Sequence, residues 1–504
     1  MHATASQYVF LRLRSLAGRH APSLSALWRA AVRVGMHGAG GRNMPRQRRP
    51  GHATLLVGAA LIFLAATPAL GAGASKSTYR GWESLALSNG LVEVQIVPQI
   101  GGRVIQFKLG DHEFLWVNPQ LAGKLPPTSG LGPKGEWLNY GGDKLWPAPQ
   151  GWGGGDQWPG PPDAVLDGGA HTGRINVEKA YDMHTVRLDS PEDKRSGIQF
   201  TRWIRVYSGS RGGANVTFDT KMTNIDTKPR RWGIWQVTQL SAANRAGEGY
   251  NKEIRCWSPL NPASLHPRGY HEMFGLINNP SFSVDPATKM FSANYKRIVG
   301  KVGLDNSAGW VAVVDGTAGY VFVERFAHFA DKKYPDQASV EFWMNGAGQI
   351  VCGDKIVDCK DDPVETPHLV ESEVLSPFAE LRPGESYTFH LEWFAARIGG
   401  NYPVLECTDW GVTCEPFRAT AAGGRLRLAG RFGVFYAAQA GLVVLDADGK
   451  DLETIDLKLP VSPLEALVLE KDEPLPAKAA SVRLVLRDSA GKEIGELARA
   501  PIAK

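Results

Sequence analysis

Three tryptophans, six glycines, two aspartates and one lysine crowd into the twenty residues from Asn139 to Trp158, NYGGDKLWPAPQGWGGGDQW. Gly and Pro weaken backbone order and Pro removes a donor, so the mixture predicts a long ordered loop in place of a helix or regular strand. Long ordered loops usually carry function. The indoles of Trp146, Trp152 and Trp158 offer flat apolar faces, while Asp143 and Lys144 offer ionic ends. Together they suit a ring-shaped polyhydroxyl ligand. The structural alternative is an irregular cover whose indoles cap a sheet edge.

Two carboxylates, Glu371 and Glu373, are two residues apart in Leu369-Val-Glu-Ser-Glu-Val-Leu375 and so project from one face of a strand. Paired carboxylates raise each other's pKa, which suits proton transfer or cation binding; the alternative is a solvated face. His171, in Gly168-Gly-Ala-His-Thr-Gly173, is the first choice for an ionisable partner, ahead of His266, His271 and His328. Arg103, Arg202, Arg205 and Arg325 could clamp a carboxylate such as that of a uronic acid, or serve as structural ion pairs. No phosphate-binding loop, dinucleotide fingerprint, HExxH or GxSxG pattern occurs, and no metal or cofactor is expected. The strongest hint otherwise is calcium, from Glu248 and from Asp354, Asp358, Asp361 and Asp362.

The elements that must position these groups are strands. From Ser75 onward the dominant period is two: Leu91–Val97, Val104–Leu109 and Glu113–Val117 follow one another across Gly-rich turns. Similar runs recur through residue 396, with no long helical period, so the fold class is all-β. No recurrence at 40 to 50 residues marks a propeller, which leaves a large sandwich. A boundary is expected near Ile398-Gly-Gly-Asn-Tyr-Pro403, giving a main domain at 75–400 and a small C-terminal β-sandwich at 401–504.

The 504-residue chain is 43% hydrophobic and 21% charged, as expected of a globular protein of two or three domains. Its net charge of +5 is set by nine Arg in residues 1–50, where there is no Lys, Asp or Glu. Residues 75–504 hold 47 basic and 51 acidic residues, a balance of −4 that argues against a nucleic-acid partner. Arg46, Arg48 and Arg49 precede an apolar run from Ala53 to Ala66 and the small-residue series Ala69-Leu-Gly-Ala-Gly-Ala74. This is the layout of a secretory signal peptide, so residues 1–74 are assigned as leader and signal, with Met36 or Met44 as candidate starts and a periplasmic or secreted destination. An Arg-rich transit peptide is the competing reading. No later run is long and apolar enough for a stable membrane span after cleavage. Cys352 with Cys359 and Cys407 with Cys414 share the spacing C-x6-C, which in an oxidising compartment predicts two local disulfides; a four-thiolate zinc site is the rival, and Cys256 is left over.

Three stretches, in order, resemble the galactose mutarotase (aldose 1-epimerase) superfamily: Leu87-Ser-Asn89-Gly90-Leu-Val-Glu-Val-Gln-Ile-Val-Pro98 with Gly101-Gly102-Arg103-Val104; Phe218-Asp-Thr-Lys-Met-Thr223-Asn224; and Glu371-Ser-Glu373 with Leu381-Arg-Pro383-Gly384-Glu385-Ser-Tyr387. With the Gly-Gly-Asp-Lys-Leu-Trp-Pro loop, the chain looks closer still to a group of exported bacterial domains of unknown function within that superfamily. The resemblance implies a β-supersandwich with a sugar-sized cleft on the concave sheet, a carbohydrate ligand, and a Glu working with a His as acid and base. Glu371 occupies the place of the Glu. Where the family has its His, this chain has Trp235 and Gln236, neither able to shuttle a proton, and these become candidate sugar contacts. The expected function is an exported carbohydrate-binding protein, with epimerase-like Glu chemistry if an ionisable group faces Glu371. The alternatives are a non-catalytic sugar-binding or cell-envelope module, whose protein partner the sequence does not name, and a uronate polymer lyase.

Overall fold

The computed structural model describes residues 72–150, 158–209, 212–352 and 355–504. The leader and signal peptide therefore lie outside the described residues up to residue 71, as does Trp152. Among the described residues there are strands and short 3-10 turns only, and no helix long and apolar enough to cross a membrane.

Two large sheets form the main body. The first runs Gly73–Tyr79, Trp82–Ser88, Val92–Val97, Arg103–Leu109, Asp143–Ala148, Arg230–Ser241, Leu369–Leu375, Val340–Met344, Gly300–Leu304, His271–Gly275, with neighbours antiparallel. The second has ten strands, with Tyr320–Phe326, Ser386–Arg397, Asn215–Asn224 and Ile198–Tyr207 adjacent at its middle. The sheets stack face to face because alternate residues of each are apolar and share one core, in which Phe107 lies 6.1 Å from Phe322 and 5.7 Å from Trp393. This is the all-β supersandwich the sequence predicts. A third sheet, of eight strands between Glu406 and Ala503, closes around its own apolar core.

One expectation is corrected. Asp143–Ala148 is not loop but a strand of the first sheet, buried at all six residues. Gly141 (φ +90) and Gly142 (φ +71) bring it in: a Cβ there would stand 2.2 Å from the Trp116 carbonyl oxygen and 2.5 Å from that of Val104. The strand pairs along its length with Arg230–Ser241 but meets Arg103–Leu109 only at Asp143 and Val104. That leaves an open edge on which Pro147, without an N–H, is tolerated.

The predicted disulfides are also corrected: Cys256, Cys359, Cys407 and Cys414 are free. In the Gly348–Cys352/Lys355–Cys359 hairpin, Cys352 pairs with Lys355 and Cys359 with Gly348. The two cysteines are thus offset by four residues, roughly 13 Å, where a disulfide needs Cα atoms within ~7 Å. Cys407 pairs with Val412, which places Cys414 two residues further along, about 8 Å away.

Candidate functional site

Strand register assembles the ionisable residues. Directly opposed residues share a face, so Lys144, Val237, Glu373 and Glu341 form one row across four strands, and Gln239, Glu371, Trp343 and Lys301 form the next. Trp146 and Trp235 head a third row with Leu375. All stand on the side of the first sheet that faces away from the second. Each lysine reaches out of its own row. Lys144 Nζ donates to Glu371 Oε1 at 2.9 Å, and Lys301 Nζ lies 2.9 Å from Glu373 Oε2 and 2.7 Å from Glu341 Oε2.

Indoles back both ammonium groups. Lys144 sits 4.6 Å from the Trp146 ring and Lys301 4.5 Å from the Trp235 ring, and the two indoles pack edge to face at 5.5 Å. Trp235 also donates Nε1–H to Glu373 Oε2 at 2.8 Å. Gln239 Nε2 donates to Glu371 Oε1 at 2.6 Å, while its own buried Oε1 has no hydrogen-bond partner in the protein. Arg103 extends the face: it pairs with Asp167 at 2.7 Å, and Trp137 and Trp146 donate their indole N–H groups to the same carboxylate. Trp158, fully buried, packs 5.3 Å from Trp146.

These groups are buried: Glu371 is 4% exposed, Glu373 0% and Lys144 2%. Burial pulls the Lys144 ammonium down, opposed by Glu371. Burial also pulls on Lys301, but Glu341 and Glu373 outweigh it and hold that ammonium above its ordinary range. Burial pushes Glu341 well above the usual carboxylate range, against the pull of Lys301 and with the help of Glu373; Glu373 is raised by burial and by Glu371, again against Lys301. Two carboxyls directly opposite each other, both raised and with one cation between them, are suited to giving or taking a proton.

The opposite face of the same strands looks into the intersheet core, and two sequence candidates lie there. Asp143 pairs with Arg202 of the second sheet at 2.6 Å and accepts from Thr238 at 3.0 Å. Gln236 sits on that side too, its Nε2 without a hydrogen-bond partner. Neither shares the face of Glu371. Thr238 also lies 3.1 Å from Glu324 Oε1, which accepts from Trp393 Nε1 as well, while Ser372 donates to Glu324 Oε2. One hydroxyl hydrogen cannot serve both Asp143 and Glu324. A proton on Glu324 resolves the conflict, and burial does push that carboxyl up, to about 8.

His171 does not join the carboxylates. Its Nδ1 lies 3.1 Å from the Gly169 carbonyl oxygen, and burial, with Arg202 and Arg103 nearby, lowers it to about 4, so it is neutral at ordinary pH. Every arginine considered as a clamp is already held by an aspartate: Arg103 by Asp167, Arg202 by Asp143, Arg205 by Asp219 and Arg325 by Asp409. Of the calcium candidates, Asp361 pairs with Arg297 and Asp358 accepts from Gln349, while Asp354 lies outside the described residues. Among the described residues no group of three or more His, Cys, Asp or Glu is arranged to hold a metal.

Sequence reasoning missed Lys301, Glu341 and Gln239. The signal available was a charged or amide residue inside a buried apolar alternation, as in Gly300-Lys-Val-Gly-Leu304 and Val340-Glu-Phe-Trp-Met344.

Residues 82–396 match the family described as Domain of unknown function (DUF4380). No curated protein matches the chain. Among solved structures, a TPR-domain containing protein from Parabacteroides distasonis is similar at 14% identity and a TM-score of 0.42, over 65% of this chain and 49% of that one, so this chain spans about half of its length. A galactose mutarotase-like protein from Clostridium acetobutylicum (13%, 0.38) covers 64% of this chain with 98% of its own. A putative mutarotase from Salmonella typhimurium (13%, 0.40) covers 64% with 94%.

Proposed function

We propose, from the premise that the chain belongs to the DUF4380 family, that it is an exported carbohydrate-binding protein whose ligand lies on the outward face of the first sheet. The observation that carries this is the pair of indole-backed lysine–glutamate contacts, Lys144–Glu371 and Lys301–Glu373, standing side by side on that face. Indole planes take the apolar faces of a sugar ring; carboxylates, ammonium groups and the unpartnered Gln239 oxygen take its hydroxyls. The Arg46-to-Ala74 pattern supports export to the periplasm or beyond.

Epimerase-like chemistry is the finer reading. Its support is that an ionisable group does face Glu371, namely Lys144, and that the raised Glu341–Glu373 pair can supply a proton in place of the absent His. The uronate-lyase alternative loses support because its four arginine clamps are neutralised by aspartates. A non-catalytic module is the outcome if a sugar binds and its anomers exchange no faster than in buffer.

The test is calorimetric titration with neutral sugars and uronates, followed by anomer exchange measured by NMR on any ligand found. Binding should weaken in Glu371→Gln, close in volume to the native residue, and in Trp235→Phe, which keeps an aromatic face but removes the N–H that donates to Glu373. Folded variants that bind as tightly as the wild type, or a wild type that binds no sugar, would sink the reading.

A further inference from the structure

A polar cavity of about 310 Å³ opens on the outward face of the second sheet. Register sets its floor: Arg205, Thr217 and Glu392 form one cross-strand row, Tyr207 and Asn215 lie in the next, and Asp219 pairs with His390 on the other side. Its wall is Tyr436, which comes from the C-terminal segment. That wall is fixed in place, since Phe435 stacks on Phe394 of the second sheet at 4.5 Å, Tyr436 packs 5.2 Å from Trp410, and Arg325 of the second sheet pairs with Asp409.

Two features mark the cavity as more than a crevice. Asn215 is 5% exposed and Thr217 7% exposed, yet Asn215 Oδ1 and Thr217 Oγ1, on cavity-lining residues, have no hydrogen-bond partner in the protein. Buried polar atoms are rarely left so. The charges are also matched within the site. Arg205 holds one oxygen of Asp219 and His390 Nδ1 meets the other at 2.8 Å, with Glu392 beside them. With His390 protonated, the form its contact with Asp219 favours, two cationic and two acidic groups leave little net field, so neither a free anion nor a free cation gains much by entering. A neutral molecule rich in hydroxyls fits both the unpartnered polar atoms and the charge balance, and the Tyr436 ring offers it an apolar plane.

We propose that this cavity is a second saccharide site, holding one neutral sugar unit between Tyr436 and the Asn215–Thr217 stretch, and that the C-terminal segment is what completes it. The proposal does not depend on the face that carries Glu371.

Titration of the full chain with D-glucose, D-galactose, sodium D-glucuronate and choline chloride tests it, with thermal melts to verify folding. One of the two neutral sugars should bind. Its affinity should fall about tenfold, ~1.4 kcal/mol, in Thr217→Val, which keeps the shape, and in His390→Ala, whose side chain is 54% exposed. It should be lost in Tyr436→Ala, a change that leaves the face of Glu371 untouched. Binding lost only in Glu371→Gln leaves the first site standing and overturns this one. Binding of neither neutral sugar, or tighter binding of glucuronate or choline through these residues, overturns it as well.

Discussion

Lys144 and Glu371 stand on the two strands that flank Arg230–Ser241 and meet over it at 2.9 Å, 227 residues apart in sequence and both nearly without solvent contact. A buried pair of this kind resists the loss of one partner more than the loss of both, because one alone leaves an uncompensated charge. Lys144→Met should therefore cost about 3–5 kcal/mol in urea unfolding. Adding Glu371→Leu should recover most of that loss. Equal destabilisation by the single and double variants would show that Gln239 alone satisfies Glu371.

Glu324 predicts a pH dependence. Its carboxyl is raised from about 4.5 to about 8 by burial. The folded state therefore keeps a proton that the unfolded chain has released, and stability is greatest below pH 4.5 and declines as pH rises towards 8. The slope in that window approaches ~1.4 kcal/mol per pH unit for this one group. Glu324→Gln, which keeps a donor for Thr238, should flatten the slope between pH 5 and 8 in chemical denaturation.

The strands were legible because their period is two, and Glu371 and Glu373 were legible because alternation puts them on one face. Their partners were not. Whether Glu373 meets Glu371 or Glu341 is a matter of which strand lies alongside and in what register, and nothing local to Leu369–Leu375 specifies that. Asp143 read as a ligand contact because its neighbours are Gly and Lys, whereas its face is set by its register opposite Thr238, on the side where Arg202 lies. Pro147 disguised a central strand as loop, since the open edge that tolerates it is a tertiary feature. The C-x6-C spacing was compatible with a crosslink in a symmetric turn, but the hairpin turns off centre.

Free thiols give a direct check of that last point. Dithiothreitol should leave Tm unchanged, and no half-cystine should appear by mass spectrometry after alkylation under denaturing conditions. In the folded protein, Cys407 and Cys414 should alkylate slowly with iodoacetamide at pH 8, because burial pushes both thiols up to about 12. Rapid labelling would show that the strand from Gly411 to Ala422 opens readily.

Lys301 carries the heaviest electrostatic task, one ammonium against two carboxyls that face each other directly. Without it, Glu341 and Glu373 rise further, and the folded state then demands protons that the solvent supplies only at low pH. Lys301→Met should cost little near pH 4, where both carboxyls are mostly protonated in folded and unfolded chains alike, and several kcal/mol near pH 8. Glu341→Gln added to Lys301→Met should recover part of the loss at pH 8 and almost none at pH 4. A Lys301→Met penalty that is the same at both pH values would mean that the lysine acts through its packing on Trp235 and not through its charge.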